Sequence, residues 1–324
     1  MSLKEVVECV KKNDNFVITT HANPEGDALG AELAFYFLLR RLGKSAAIIN
    51  EDDVPLSYDF LPGKELITKL KYSPRKRISF GCLVFVDCSD ERRTGEVYRI
   101  NRDKKPVLNI DHHISNERFG DINWVEPHAS SSAEMVYRLY KKMGIPFDKE
   151  AATCLYAGML TDTGSFRYSN TASRTHSAVS ELLKFGLDTV QIYKNIYENI
   201  PFEDMKLLSK ILPRMRREAK GRIIWFQIEQ EMLRNKKLTF DLTEALLSFA
   251  RAIKGAEVCA LFKENLGVKD EIRINLRSQG KVDVNKIAGC FGGGGHRTAS
   301  GATVKGKLDL VRKKVLAKIK ECLK

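Results

Sequence analysis

Short apolar runs, each followed by a polar residue, recur through the first third of the chain. Such runs lie at residues 16–20, 46–50, 82–86 and 106–110, and a helical pattern covers residues 27–42. Continuous apolar runs of this length are typical of strands buried on both faces of a sheet. Strands that alternate with helices indicate a parallel α/β sheet.

The middle of the chain predicts further helices. Ser131 and Glu134 have the spacing of a capping box, which begins a helix that extends to about Met143. Another helix is predicted at residues 149–161. The stretch 188–217 has a helical pattern interrupted by two prolines, and we expect it to connect two domains.

A second set of elements follows this connector. Strands are predicted at residues 222–228, 257–262 and 271–276, with a helix at 243–253 and a basic helix at the C-terminus. The predicted fold class is therefore α/β, with a parallel-sheet N-terminal domain that has helices on both faces and a smaller, basic α/β C-terminal domain. The expected N-terminal domain, linker and C-terminal domain span residues 1–187, 188–217 and 218–324.

Charged residues are distributed unevenly along the 324-residue chain. It contains 54 lysines and arginines against 41 acidic residues, a formal net charge of +13. Residues 214–324 hold 25 basic and 12 acidic residues, so they carry the whole excess, and residues 1–213 are neutral. A basic balance of this kind suggests an anionic partner such as nucleic acid, a nucleotide or a membrane surface. A solvated basic helix face is the simpler explanation for part of this positive charge.

The composition excludes several classes of protein. Hydrophobic residues make up 43% and charged residues 29%, which excludes a disordered chain. The seven cysteines are scattered without a C-x-x-C pair, which excludes a disulfide scaffold and indicates reduced thiols. With neither a signal peptide nor 18 consecutive apolar residues, the sequence predicts a cytoplasmic protein without a membrane span.

Polar residues with metal-binding chemistry follow three of the predicted strands. The crevice beyond the carboxyl ends of parallel strands is where such sheets bind ligands. The residues in question are His21, Glu25, Asp27, Asp87, Asp111, His112 and His113, with Asp162 further along the chain. Carboxylates and imidazoles suit Mn²⁺, Mg²⁺ or Zn²⁺, and the mixture of oxygen and nitrogen ligands favours Mn²⁺. Taken singly, each residue fits a helix cap or a solvated loop equally well.

A glycine-rich segment near the C-terminus is a second candidate site. Residues 292–295 are consecutive glycines followed by His296 and Arg297, and consecutive glycines let backbone N–H groups approach an anion. Upstream, Arg273 and Arg277 alternate with apolar residues on a predicted strand, which suits bidentate binding of phosphate. A flexible linker and surface salt bridges are the alternative explanations.

Together these motifs resemble the DHH phosphoesterase superfamily. The resemblance rests on His21-x-x-x-Glu25-x-Asp27, Asp111-His112-His113, Thr161-Asp162-Thr163-Gly164 and, near the C-terminus, Gly293-Gly294-Gly295-His296 with Ala299 and Gly301. The last motif looks like the DHH-associated substrate-binding domain. The motifs follow one another in the order found in the family, and the resemblance covers nearly the whole chain. The layout is closest to the stand-alone branch with bacterial nanoRNases (oligoribonuclease and pAp phosphatase) and linear or cyclic dinucleotide phosphodiesterases.

The resemblance implies a role for each residue of these motifs. His21 and Glu25 would hold one metal ion, Asp27, His112 and Asp162 would hold the other, and Asp87 would bridge both. His113 would contact the scissile phosphate or tune the second ion, so the implied catalytic residues are Asp87, His112 and His113. Glu25 departs from the family, which usually has aspartate there. The implied substrate-binding residues are Arg277, Gly293, Gly294, Gly295 and His296.

The expected function is metal-dependent hydrolysis of short oligonucleotides or linear dinucleotides of the pApA type to mononucleotides, with pAp phosphatase activity as an addition. Two divalent ions are implied, with Mn²⁺ favoured over Mg²⁺ or Co²⁺, and a hydroxide between them would attack phosphorus in line. Hydrolysis of cyclic di-AMP is the alternative within the superfamily. A non-catalytic nucleotide- or RNA-binding protein is the alternative from another class. No duplex specificity is expected, and the oligomeric state, a homodimer included, stays open.

Overall fold

The computed structural model describes residues 3–71, 78–233, 242–265 and 268–323. The chain divides into two compact units, residues 1–198 and 199–324. This division lies within the stretch expected to connect the domains, and the domain boundaries given above stay a prediction.

The first unit is built around a six-stranded sheet. In chain order its elements are α1 (Leu3–Lys12), β1 (Phe16–Thr19), α2 (Gly26–Arg41), β2 (Ala46–Asn50), β3 (Ile67–Lys69), β4 (Cys82–Val86), β5 (Val107–Asp111), β6 (Ile122–Val125), α3 (Ser132–Met143), α4 (Lys149–Asp162), α5 (Ser173–Leu183) and α6 (Thr189–Tyr197). The strand order is β3-β2-β1-β4-β5-β6, and every neighbouring pair is parallel. The chain therefore reverses its direction across the sheet between β1 and β4.

The two faces of this sheet are covered differently. One face packs against α1 to α5 in a large core that includes Ile18, Val84 and Trp124. The opposite face packs against loops and the 3-10 turn Val97–Ile100, and among the described residues no α-helix contributes to that cluster. The α-helices expected on the second face are therefore replaced by loops and a 3-10 turn.

Two glycines let α2 and α4 approach each other closely. A Cβ atom at Gly30 would lie 2.3 Å from the carbonyl oxygen of Cys154 on α4, and one at Gly158 would lie 3.0 Å from Asp27 Oδ1 on α2. Any larger residue would force these helices apart. Because α2 carries Asp27 near its start and α4 ends at Asp162, this close packing sets where both carboxylates lie.

The second unit has a mixed sheet with helices on both faces. Its elements are α7 (Phe202–Ile211), β7 (Arg216–Glu218), β8 (Ile223–Ile228), α8 (Gln230–Leu233), α9 (Leu242–Arg251), β9 (Val258–Glu264), β10 (Glu271–Ser278), α10 (Val284–Gly289), β11 (Gly294–Gly295), β12 (Ala299–Lys305) and α11 (Leu308–Cys322). The order is β11-β12-β10-β9-β8-β7, and only β8 and β9 are parallel. One core lies under α10 and α11, and the other under α7 and α9.

The α/β fold class predicted from the sequence is confirmed. The strands β2 and β4 begin and end at the residues expected from the sequence, 46–50 and 82–86. The pattern missed several elements, among them α1, β3, β6, α10 and β12. In β12 the residues Ala-Ser-Gly-Ala-Thr-Val-Lys have little apolar alternation, and the ladder with β10 makes them a strand. None of the helices in the described ranges combines the length and the apolar composition needed to cross a bilayer.

Candidate metal centre and substrate-binding segment

The candidate metal centre lies at the carboxyl edge of the first sheet, where the strand order reverses. His21 follows β1 and Asp87 follows β4, and these are the two neighbouring strands at the reversal. This is the place where open α/β sheets bind ligands. Asp87 has a left-handed backbone, with a φ of 56°, which is uncommon for a residue other than glycine and is often found at functional sites.

His112 is the centre of the cluster. Its Nε2 atom lies 3.7 Å from Asp27 Oδ2, 3.6 Å from Asp87 Oδ1 and 3.6 Å from Asp162 Oδ2. Its Nδ1 atom is 3.2 Å from the carbonyl oxygen of Ala129. Since a carbonyl oxygen only accepts, Nδ1 carries the proton, and in the neutral ring the lone pair of Nε2 faces the three carboxylates.

Asp27 is held by the first backbone amides of α3. The N–H groups of Ser132 and Ala133 donate to its two oxygens at 2.7 and 2.8 Å. A helix N-terminus stabilises a negative charge, so α3 compensates for the burial of this carboxylate. The Ser132 hydroxyl also donates to Asp87 Oδ1 at 2.9 Å, which links the two carboxylates through one residue. The capping-box spacing marks Ser131 and not Ser132, so the sequence did not predict this contact.

His21 repeats the arrangement of His112 on the other side of Asp87. Its Nδ1 atom donates to the carbonyl oxygen of Ala22 at 2.9 Å, and its Nε2 atom lies 3.6 Å from Asp87 Oδ2. Glu25, expected to accompany His21, is exposed at the N-cap of α2 and does not belong to the buried clusters of potential ligands found among the described residues.

The Nδ1 atom of His113 faces Asp111 and also lies 3.7 Å from Asp87 Oδ1. The separation of Nδ1 from Asp111 Oδ1 is 2.7 Å, and Asn116 donates to the other oxygen of Asp111 at 2.6 Å. Asp111 is fully buried, and the His113 charge outweighs that burial and holds the pKa of Asp111 below its ordinary value. Asp111 therefore orients His113, and its Oδ1 atom also accepts from the backbone N–H of His112 at 2.9 Å.

Asp162 is the most exposed carboxylate near His112, with a quarter of its side chain accessible. Asn170 donates to Asp162 Oδ2 at 3.2 Å and to the carbonyl oxygen of Ser130 at 2.8 Å. Asn170 thus connects the end of α4 to the loop before α3. No sequence signal marked it, because it lies in an irregular segment eight residues after Asp162.

The electrostatics of the cluster favour a cation. Burial and the charge of Asp87 raise the pKa of Asp27 well above its ordinary value. Burial opposes ionisation of Asp87, but His21 and the other two histidines hold the pKa of Asp87 well below its ordinary value. Burial lowers the pKa of His112, yet the carboxylates around it raise that pKa to about 9. In the protein alone, a proton on His112 offsets the negative charge.

The same residues fit a divalent metal ion. Donors bound about 2.1 Å from one ion lie about 3.0 to 3.4 Å apart in octahedral or tetrahedral geometry. The separations around His112 are slightly longer than this and too long for direct hydrogen bonds. Asp27, Asp87 and His112 are all buried and present potential ligand atoms within 4.8 Å of one another. Carboxylate oxygen with imidazole nitrogen suits Mn²⁺, Mg²⁺ or Zn²⁺.

In the second unit, the two candidate arginines lie on one face of β10. Arg277 donates to Glu244 on α9 at 2.8 Å, and its side chain is 17% exposed. Arg273 is exposed, and within the described ranges it forms no ion pair. Its neighbours across the ladder are Lys263 and Thr303. Either guanidinium can reach an anion, but Arg277 must share its charge with Glu244.

The glycine-rich segment forms a tight hairpin. Gly294 and Gly295 pair with the start of β12, and the backbone groups of His296 and Ala299 bond to each other across the turn. A Cβ atom at Gly293 would lie 2.1 Å from the carbonyl oxygen of Gly301, so these strands can approach only with glycine there. The N–H of Gly293 already donates to Ala288 at 2.9 Å. The glycines thus serve strand packing as well as any approach to an anion.

Comparison with known proteins agrees with these motifs. The family model described as the DHH family, N-terminal domain, matches residues 15–159, and that of the DHHA1 domain matches residues 227–324. A Thermus thermophilus relative named bifunctional oligoribonuclease and PAP phosphatase NrnA is 30% identical, covering 94% of this chain and 89% of its own. The chain belongs to the DHH family. The identification made from the motifs, as a phosphoesterase of this family, is confirmed.

Two further relatives bear on the fold and on the alternative activity. The crystal structure of an exopolyphosphatase-related protein from Bacteroides fragilis has a TM-score of 0.86 and 27% identity, covering 98% of this chain and 96% of the other. The cyclic-di-AMP phosphodiesterase GdpP of Bacillus subtilis is 28% identical over 94% of this chain, but that match covers only 47% of GdpP.

Proposed function

We propose that this DHH-family protein is a metal-dependent phosphodiesterase that releases mononucleotides from short oligonucleotides or linear dinucleotides and removes phosphate from pAp. The observation that carries the proposal is the buried cluster in which three carboxylates, Asp27, Asp87 and Asp162, surround Nε2 of His112 at 3.6 to 3.7 Å. The substrate class follows the name of the Thermus thermophilus relative, an oligoribonuclease and PAP phosphatase. We place the protein in the cytoplasm on its free cysteines.

Six residues would hold two divalent ions, with Mn²⁺ favoured and Mg²⁺ or Co²⁺ as alternatives. His112, Asp27 and Asp162 would bind one ion, His21 and Glu25 the other, and Asp87 both. Glu25 is the weakest member, because it is exposed at the helix N-cap. Bound divalent ions lower the pKa of water and neutralise charge on phosphoryl oxygens.

The protein's own groups orient the reaction. The α3 amides fix Asp27, the Ser132 hydroxyl fixes Asp87, and backbone carbonyls fix the tautomers of His21 and His112. Asp111 holds the proton of His113 on Nδ1, at 2.7 Å. A protonated His113 would then donate through Nε2 to a phosphoryl oxygen or to the leaving group.

The basic second unit would hold the rest of the substrate. Arg277, His296 and the glycines at 293–295 are the proposed contacts, and the exposed guanidinium of Arg273 is a further one on the same strand face. Guanidinium groups bind phosphate through paired, charge-assisted hydrogen bonds. Short, phosphorylated single strands present the required charge without needing a duplex surface.

The test is a substrate panel with and without Mn²⁺. We expect Mn²⁺-dependent release of mononucleotides from pApA, phosphate release from pAp and slower turnover of longer strands. Cyclic di-AMP in the same panel tests the alternative activity within the family. Faster cleavage of cyclic di-AMP than of pApA would show that the cyclic dinucleotide is the preferred substrate. Absence of turnover with Mn²⁺, Mg²⁺ and Co²⁺, with nucleotide binding retained, would overturn the proposal in favour of a non-catalytic binder.

A further inference from the structure

A fully buried glutamate lies inside α2, five residues after Asp27. The side chain of Glu32 is 0% exposed, and every residue of the helix from position 26 to 35 is buried. Within the described residues, its carboxyl contacts the amide of Asn50 and no cation. Glutamate is almost never fully buried unless it is paired, because removing its charge from water is costly. Its presence here therefore needs an explanation.

Glu32 is the first member of a hydrogen-bonded chain. Asn50, the last residue of β2, donates from Nδ2 to Glu32 Oε1 at 2.8 Å. The Oδ1 atom of the same amide accepts from the backbone N–H of Thr20 at 3.3 Å and from the hydroxyl of Thr19 at 3.4 Å. Asn50 is 1% exposed and both threonines are fully buried, so no bulk water competes for these bonds.

This series of hydrogen bonds ends at Thr20, the residue before His21. The ladder of β1 with β2 ends at Ile18, and the ladder with β4 ends at Thr19. The N–H of Thr20 is thus the first one past the sheet, and a buried N–H needs a partner. Asn50 supplies it. The backbone that carries the imidazole of His21 is therefore fixed by a side chain from β2, which Glu32 in turn holds in one orientation.

The surroundings of Glu32 favour its neutral form. Burial outweighs the hydrogen bond from Asn50 and raises the pKa of this carboxyl to about 8. A neutral carboxyl can stay inside the core without a counter-ion while it still accepts from Asn50. An apolar side chain of the same size would fill the space but would leave the Asn50 amide without its acceptor.

We propose that Glu32 is a positioning residue of the metal centre, which acts through Asn50 and the Thr20 backbone on the position of His21. The inference rests on the proposed function, since it assumes that His21 binds a metal ion. It assigns Glu32 no contact with substrate or with the reacting atoms.

The test compares Glu32→Met, which keeps the volume and removes the acceptor, with Glu32→Gln, which keeps the acceptor. Binding of Mn²⁺ is measured by calorimetry on the full chain, and the His21 ring resonances are recorded by NMR without metal. We expect Glu32→Met to weaken binding about 10-fold or more and to shift the His21 resonances. Glu32→Gln should bind Mn²⁺ within about threefold of the wild type, because an acceptor remains for Asn50.

Leu39→Ala is the matched control for lost stability. Leu39 is fully buried near the other end of α2, so truncating it lowers the unfolding temperature without touching the chain of hydrogen bonds. It should leave Mn²⁺ binding unchanged. Equal binding by wild type and Glu32→Met, or equal weakening by Leu39→Ala, would overturn the positioning role. Failure of the wild type itself to bind Mn²⁺ would instead contradict the proposed function.

Discussion

The two units treat their charged candidate residues in opposite ways. In the first unit Asp27, Asp87 and His112 are 2–5% exposed, and their atoms are fixed by helix amides, a serine hydroxyl and backbone carbonyls. In the second unit Arg273 is exposed and Arg277 shares an ion pair. Buried, fixed groups suit chemistry at one phosphate, and an exposed cation such as Arg273 suits attraction of a charged substrate. Substitutions in the two units should therefore change different kinetic constants.

The largest effect is expected for Asp87→Asn. The substitution preserves shape and an acceptor for Ser132 but removes the charge placed between the two imidazoles. We expect the turnover of pApA to fall by about 10³-fold or more, corresponding to several kcal/mol of lost stabilisation. A thermal unfolding curve close to that of the wild type serves as the control. Turnover within tenfold of the wild type would contradict a bridging role.

His113→Ala should lower kcat by about 100-fold with little change in KM. A loss of this size in kcat is typical of the removal of one general acid. Asp111→Asn should have a smaller effect, because an acceptor remains for Nδ1 of His113 while the negative charge is lost. Steady-state kinetics on pApA measures both. A larger loss for Asp111→Asn than for His113→Ala would show that Asp111 acts by some other route.

The pH dependence of stability tests the buried carboxyl of Glu32. The pKa of Glu32 is raised from 4.5 to about 8 in the folded protein. The stability that this group contributes is therefore fully present below pH 4.5 and is lost as the pH rises through 8. Between pH 6 and 7.5 the unfolding free energy of the wild type should fall by about 2 kcal/mol relative to Glu32→Gln. Urea unfolding at several pH values measures this difference. Parallel curves for the two proteins would contradict a neutral Glu32.

Ser132→Ala should weaken Mn²⁺ binding about tenfold, because Asp87 loses a hydrogen bond of 2.9 Å while the α3 amides stay in place. Ser131→Ala is the matched control, since Ser131 is the N-cap of the same helix and bonds to Glu134 N. It should cost about 1 kcal/mol of stability and leave Mn²⁺ binding unchanged. Identical binding constants for the two variants would exclude a specific role for Ser132.

The smallest effects are expected in the second unit. Arg273→Ala and Arg277→Ala should raise KM about three- to tenfold, with kcat within about twofold and a weaker dependence on salt. Lys314→Ala, an exposed residue of α11, is the control for general loss of charge. If either arginine variant lowered kcat at unchanged KM, the division between the units would be wrong.

The strands and the polar residues of the buried cluster were predictable because both signals are local. An apolar run predicts a buried strand, and the polar residue after it predicts a position at the sheet edge, as for His21 and Asp87. The residues that hold these groups were not predictable. Asp27 is bound by amides 105 and 106 residues away, and Asn50 reaches Glu32 across 18 residues, so no spacing rule connects them.

Glu134 shows how a local signal can be only half right. The spacing from Ser131 predicts a reciprocal capping box, and the Ser131 hydroxyl does accept from Glu134 N at 3.0 Å. The Glu134 carboxylate instead accepts from the Ser130 and Thr175 hydroxyls and from Arg174. These partners bring α5 to the start of α3, and only the tertiary structure could have supplied them.

The most direct test of the central claim is a calorimetric titration of Mn²⁺ into the wild type and His112→Ala, with pApA hydrolysis measured at each occupancy. We predict about two ions per wild-type chain, hydrolysis that rises with occupancy, and loss of the ion at His112 together with nearly all turnover in the variant. Equal binding and equal turnover in the two proteins would contradict a metal centre at the buried cluster.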